Sequence, residues 1–132
     1  MLTRVTGTFE ARLAPPQGDQ GPEVGAIGRM SIDKEFHGEL EATSSGQLLA
    51  VTTEVEGSAG YVALERVAGI LQGRRGSFAL QHAGTMNRGA PTLIITVVPD
   101  SGTGELIGLA GVMSIDVVDG EHTYAFEYAL PS

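Results

Sequence analysis

Apolar and polar residues alternate with a period of two along most of this chain. Between residues 30 and 42 the even positions are mostly apolar, and the odd positions are Ser31, Asp33, Glu35, His37, Glu39 and Glu41. This period is typical of a β-strand with one buried face and one solvated face. We therefore predict one long strand over residues 30–42, followed by a turn at 43–46.

The same alternation predicts seven further strands. They cover residues 6–13, 48–53, 61–70, 75–86, 92–98, 112–118 and 123–130. Short turns at residues 72–74 and at Asp119-Gly120 indicate hairpins between consecutive strands. A single helical turn is expected within residues 101–109, capped by Asp100 or Ser101, because several glycines in this segment disfavour a longer helix.

Eight short strands joined largely by hairpins predict an all-β fold. The favoured architecture is a closed antiparallel up-and-down β-barrel, formed as a single domain by residues 1–132. Closure removes the exposed sheet edges that would otherwise pair with other chains. An antiparallel sandwich is the alternative. The Pro- and Gly-rich segment 15–22 is predicted to be a surface loop.

Charge and composition exclude several functions. The net charge is −8, which argues against nucleic acid or an anionic membrane as a partner, because both need a basic surface. The chain has no cysteine, so it has no disulfide, thiolate nucleophile or cysteine metal site. We find no signal-peptide core, no apolar run of membrane-spanning length and no phosphate-binding loop. We therefore expect a cytoplasmic protein without a cofactor, and charge and length leave a homo-oligomer open.

Lys34 is the first candidate for a functional residue, because it lies on the apolar face between Ile32 and Phe36. A buried ammonium group is costly unless it is paired. One interpretation is an internal ion pair, or a lysine that reaches out of the barrel end. The other is an anchor for the carboxylate or carbonyl group of a ligand.

Glu65 and Glu127 are two carboxylates that could pair with this lysine. Both have alanine neighbours on the same face of their strand, which indicates either a barrel interior with free space or an exposed polar face. If the two carboxylates were close together, they could share a proton and catalyse hydrolysis, including self-cleavage.

His82 and Tyr124 complete the candidate set. His82 lies mid-strand among apolar positions, where it is either a hydrogen-bonded core residue or a functional imidazole. Tyr124 begins a row with Phe126 and Tyr128 that is more typical of a core, unless the barrel is vacant. The spacing of the three histidines is not that of a zinc site, so no metal is expected.

Several longer motifs resemble a known family. They are Lys34-x-Phe36-x-Gly38-x-Leu40, Gly60-Tyr61-x-Ala63-x-Glu65, Gly76-Ser77-Phe78-x-Leu80-Gln81-His82-x-Gly84 and Tyr124-x-Phe126-x-Tyr128-x-Leu130-Pro131. From about residue 26 onward the chain is similar to a bacterial family catalogued as a domain of unknown function, family three-two-two-four. The resemblance implies a small eight-stranded barrel of calycin type, similar in fold to allene oxide cyclase, which binds an unsaturated lipid epoxide inside its barrel. It implies no particular activity.

The sequence favours a binding module for a small apolar or amphipathic ligand, held at or inside the barrel. The residues expected to orient this ligand are Lys34, Glu65, His82, Tyr124 and Glu127. One alternative is an enzyme, either an isomerase or cyclase-like barrel or a carboxylate-dependent hydrolase. Another is a barrel with a solid core that serves interaction or oligomerisation.

Overall fold

A computed structural model describes residues 2–14 and 24–131, so the predicted loop at 15–22 lies outside the described residues. The strands are β1 (Thr3–Ala14), β2 (Ile27–Gly38), β3 (Leu40–Thr52), β4 (Ala59–Leu71), β5 (Arg74–Asn87), β6 (Ala90–Val97), β7 (Ala110–Val118) and β8 (Glu121–Ala129). They pair in chain order, and β8 pairs with β1 to close the barrel. Every pairing is antiparallel. The predicted closed antiparallel barrel is confirmed. In the described part of the chain no helix is long and apolar enough to cross a membrane.

The alternation along each strand decides which side chains fill the barrel. Even positions face inward on β2, β3, β5 and β8, and odd positions face inward on β1, β4, β6 and β7. Side chains of successive strand residues point to opposite faces, so one register fixes the whole set. The buried apolar core that results is Val5, Phe9, Ile32, Phe36, Leu40, Ala42, Ala63, Val67, Leu71, Phe78, Leu80, Ile95, Val97, Leu106, Leu109, Met113, Tyr124, Phe126 and Tyr128.

The prediction of one strand over residues 30–42 is wrong, because the chain reverses at Glu39. Phe36 pairs with Ala42 across β2 and β3, so the register is symmetric about Glu39 and joins even positions to even positions. Even positions therefore face inward both before and after the turn, and the alternation of apolar and polar residues gives no sign of it. Gly38 has φ +113°, which a residue with a side chain rarely adopts. The predicted turn at 43–46 lies inside β3.

One end of the barrel is sealed by the connection between β6 and β7. A short 3-10 helix, Gly104–Leu106, lies in this connection, and Leu106 and Leu109 are buried. The predicted single helical turn is confirmed, but no side chain caps it. Ser101 instead accepts the N–H of Ala79 on β5, which ties the connection to the barrel wall.

The opposite end of the barrel, as far as the described residues form it, carries exposed apolar side chains. Side chains at inward-facing positions remain exposed there: Leu13 by 51%, Met86 by 40%, Leu93 by 38% and Val117 by 57%. These four residues, from β1, β5, β6 and β7, define what we call the mouth. Small barrels usually fill their interior with side chains, so the exposure of these four residues distinguishes the mouth from the sealed end.

Candidate functional site

A buried carboxylate organises the polar interior of the barrel. Glu65 is only 1% exposed. Its Oε2 accepts a hydrogen bond from Lys34 Nζ at 2.9 Å and lies 2.5 Å from His82 Nε2. Its Oε1 accepts a hydrogen bond from Ser44 Oγ at 2.7 Å. We call these four residues, Lys34, Ser44, Glu65 and His82, the ionic cluster.

Four consecutive strands bring the ionic cluster together. Lys34 on β2 is the register partner of Ser44 on β3, and Glu65 follows on β4, where its register partner is Gly46. A Cβ at Gly46 would lie 2.6 Å from the Cα of Glu65. Glycine at this position therefore lets β3 and β4 approach closely beside the carboxylate.

The surroundings of Glu65 keep it ionised. Burial is the largest influence and by itself raises the pKa of Glu65, but the hydrogen bond from His82, the charge and hydrogen bond of Lys34, and the hydrogen bond from Ser44 together lower the pKa to about 2. At neutral pH the group is a paired carboxylate. General acid–base catalysis needs a pKa near the working pH, so the geometry favours a structural or orienting role for Glu65.

Lys34 is the only lysine in the chain, and its side chain is 7% exposed. Its ammonium group also lies over two aromatic rings, 5.2 Å from the centroid of Phe9 and 5.8 Å from that of Phe36. The internal ion pair, one of the two interpretations of Lys34, is present. Among the described residues Nζ donates only to Glu65, so two of its three N–H groups have no oxygen or nitrogen acceptor there.

The second ring nitrogen of His82 has no hydrogen-bond partner among the described residues. Every buried side-chain nitrogen and oxygen of the described residues has a hydrogen-bond partner. Nε2 is bonded to Glu65, and no hydrogen bond joins Nδ1 to a described residue. His82 lies on β5 two inward-facing positions from Met86, on the side of the mouth. There the ring of Tyr61 lies 6.4 Å from the imidazole, centroid to centroid.

Two residues expected in the ligand set lie elsewhere. Tyr124 faces inward, but its hydroxyl accepts the N–H of Leu40 at 3.0 Å and lies 3.0 Å from the carbonyl oxygen of His37, so it holds the turn between β2 and β3. Glu127 is exposed on the outer face, because the inward positions of β8 are even. Within the described interior Glu65 is the only buried carboxylate, so no carboxylate pair forms there.

Ser44 belongs to the site although the sequence analysis placed it in a turn. The sequence did contain a sign that Ser44 faces inward. The inward-facing even positions continue from Ala42 to Ser44 on β3. The serine hydroxyl is the only hydroxyl group that bonds to Glu65 among the residues described. It satisfies Oε1, the oxygen that Lys34 and His82 leave free.

The three histidines are separated in the fold. His37 lies on the outer face, with Nε2 2.8 Å from a carboxylate oxygen of Glu10. Its imidazole and the carboxylates of Glu10 and Glu35 lie close enough together to ligate a cation, but this group is a largely solvated surface cluster. His122 stacks on Phe9, with 5.1 Å between ring centroids.

These features define a small closed β-barrel that holds a buried Lys–Glu–His cluster and has exposed apolar side chains at the mouth. The sequence model of the family described as "Protein of unknown function (DUF3224)" matches residues 5–128. The chain belongs to this family, as its motifs indicated.

A solved structure supports this assignment. It is the 1.84 Å crystal structure of a protein of unknown function from the DUF3224 family of Shewanella oneidensis MR-1, and it is 48% identical in sequence to this chain. The similarity covers 100% of this chain and 99% of that chain, with a TM-score of 0.91. No curated protein matches the chain.

Proposed function

We propose that this protein binds a small amphipathic molecule in the mouth of the barrel. The observation that supports this most directly is the exposure of Leu13, Met86, Leu93 and Val117 at inward-facing positions. Ligand sites are typically concave and apolar, with a few polar groups that orient the ligand. The mouth supplies the apolar wall, and the ionic cluster supplies the polar groups at its base.

The polar group of the ligand is a hydrogen-bond acceptor. Lys34 Nζ retains N–H donors that no described residue accepts, whereas a neutral His82 that donates its Nε2–H to Glu65 presents Nδ1 as an acceptor, not a donor. Because Glu65 already neutralises Lys34, the ion pair offers donors without a net positive charge. Burying an additional anion beside a neutral pair is costly, so a carbonyl oxygen fits better than a free carboxylate.

A carboxylate-dependent hydrolase has less support from the geometry. Glu65 has no second carboxylate near it in the described interior, and its pKa of about 2 makes it a weak base. Binding is therefore the function that the arrangement favours, and we propose no reaction.

Two adjacent residues on β6 provide a matched test of this proposal. Leu93 faces the mouth and Ile94 faces outward, as their register partners Gly84 and Ala83 do on β5. The measurement is native mass spectrometry of the wild type, Leu93→Glu and Ile94→Glu, titrated with methyl decanoate and with decanoate. Circular dichroism checks that each variant is folded.

The wild type should form a one-to-one complex with methyl decanoate. Leu93→Glu should weaken this complex at least tenfold, because it places a charge against the alkyl chain, whereas Ile94→Glu should bind like the wild type. No complex with the wild type, or equal losses in both variants, would refute binding in the mouth. Tighter binding of decanoate than of the ester would refute the assignment of a neutral carbonyl group.

A further inference from the structure

An apolar surface covers the outside of the barrel on β3 to β6. Leu49 pairs with Val62, Val62 pairs with Ala83, and Ala83 pairs with Ile94, so these four residues form one row across four strands. The exposed fractions are 45% for Leu49, 53% for Val62 and 66% for Ile94. We call this row and the groove beside it the outer apolar face.

The outer apolar face has both a ridge and a groove. The groove has a volume of about 540 Å³, and Gly60 and Ala83 form its floor. Ile27 and Leu49 stand on one side, and Ile94 stands on the other. The small floor residues create the depression, and the large side chain of Ile94 beside it creates a ridge of matching apolar character.

The charges on this face favour a second copy of the chain as the partner. The chain has 16 acidic and 8 basic side chains, yet the described outward positions of residues 45–51, 60–66, 79–85 and 92–96 include no acidic residue, and Arg66 is the only charged one. Outward positions elsewhere carry Asp33, Glu35 and Glu41. Two copies with a net charge of −8 would repel each other through those acidic faces but not through this one.

We propose that the outer apolar face is the contact surface of a two-fold symmetric homodimer. In such a dimer the same patch of both copies meets itself, so Ile94 of each copy fits into the groove of the other. This interface is independent of the mouth, because successive residues of β6 point to opposite sides of the sheet.

The size of the face suits the core of such an interface. Four strands ~4.8 Å apart and seven residues at ~3.3 Å each give a footprint of roughly 19 Å by 23 Å. A standard interface covers about 800 Å² on each partner, with an apolar core and a polar rim. The apolar row supplies the core, and Arg29, Arg66 and Gln81 lie where the rim would be.

Sedimentation equilibrium of the wild type, Ile94→Glu and Ile107→Glu tests the dimer. The control is closely matched, since Ile94 is 66% exposed and Ile107, in the connection between β6 and β7, is 68% exposed. The wild type should sediment as a dimer at micromolar concentration. Ile94→Glu should weaken the dimer at least about 100-fold, because the change occurs twice in a central apolar contact. Ile107→Glu should have no effect.

Several outcomes would overturn this proposal: a monomer at ~100 μM, an assembly larger than a dimer, or equal effects of Ile94→Glu and Ile107→Glu. Leu93→Glu separates this proposal from ligand binding, because it should weaken binding in the mouth at least tenfold and leave the dimer intact. A wild-type dimer that dissociates in Leu93→Glu but not in Ile94→Glu would place the contact at the mouth and refute the outer apolar face.

Discussion

Replacing Lys34 with methionine tests the energetic role of the ionic cluster. The side chains of Lys34 and Glu65 are 7% and 0% exposed, and their charged atoms are 2.9 Å apart. Removing one partner of a buried ion pair typically costs about 3–5 kcal/mol, because the other charge remains buried. His82 and Ser44 still bond to Glu65 in this variant, so we expect the lower part of that range.

The lowered pKa of Glu65 gives a second measure of the same effect. A shift from 4.5 to about 2 corresponds to roughly 3 kcal/mol of stability at neutral pH, since one pKa unit is worth about 1.4 kcal/mol. This net figure includes burial, which opposes the shift, and Lys34 contributes both its charge and a hydrogen bond to lowering the pKa. We therefore expect Lys34→Met to reduce the free energy of unfolding by about 3–4 kcal/mol at pH 7.

The assay is urea unfolding followed by far-UV circular dichroism at pH 7 and at pH 3. The deficit should shrink at pH 3, because Glu65 becomes protonated in the variant and no longer needs a cation. The double variant Lys34→Met/Glu65→Gln should recover more than half of the loss at pH 7, since no unpaired charge remains buried. Arg12→Met, which removes an exposed cation, should change stability by less than about 0.5 kcal/mol.

An unfolding midpoint of Lys34→Met equal to that of the wild type at pH 7 would refute the reasoning. It would mean that the lysine contributes no net stability to the carboxylate. A deficit of the same size at pH 3 and pH 7 would instead indicate lost packing against Phe9 and Phe36, and not an unpaired charge.

Two further predictions concern acid and the turn between β2 and β3. The pKa of Glu65 is lower in the folded protein than in the unfolded chain. Its contribution to stability is therefore complete above about pH 5 and is lost as the pH falls from 4.5 toward 2. Urea midpoints of the wild type should fall across this pH range, and those of Glu65→Gln should lack this fall. Tyr124→Phe leaves the N–H of Leu40 without its acceptor and should cost about 1–3 kcal/mol in thermal unfolding, whereas unchanged stability would show that water replaces the hydroxyl.

Local sequence patterns were sufficient for most of the barrel. The period of two identified the strands. The predicted turns also have the positive φ angles that such short hairpins need. These angles are 46° and 83° at Gln72-Gly73, and 52° and 79° at Asp119-Gly120. The alternation of apolar and polar residues did not reveal the turn at Glu39. A register symmetric about one residue keeps the even positions inward on both β2 and β3. That single misplacement also assigned Ser44 to a turn instead of the interior.

The sequence by itself determined the closed all-β architecture and placed Lys34 and His82 on apolar strand faces. Only the tertiary structure decided that Glu65 is their partner and that Glu127 lies outside. β4 and β8 carry apolar residues on both faces, so their own patterns do not distinguish inward from outward positions. Pairing with both neighbours in a closed barrel fixes that choice, because a shift of one residue would reverse every side chain on the strand.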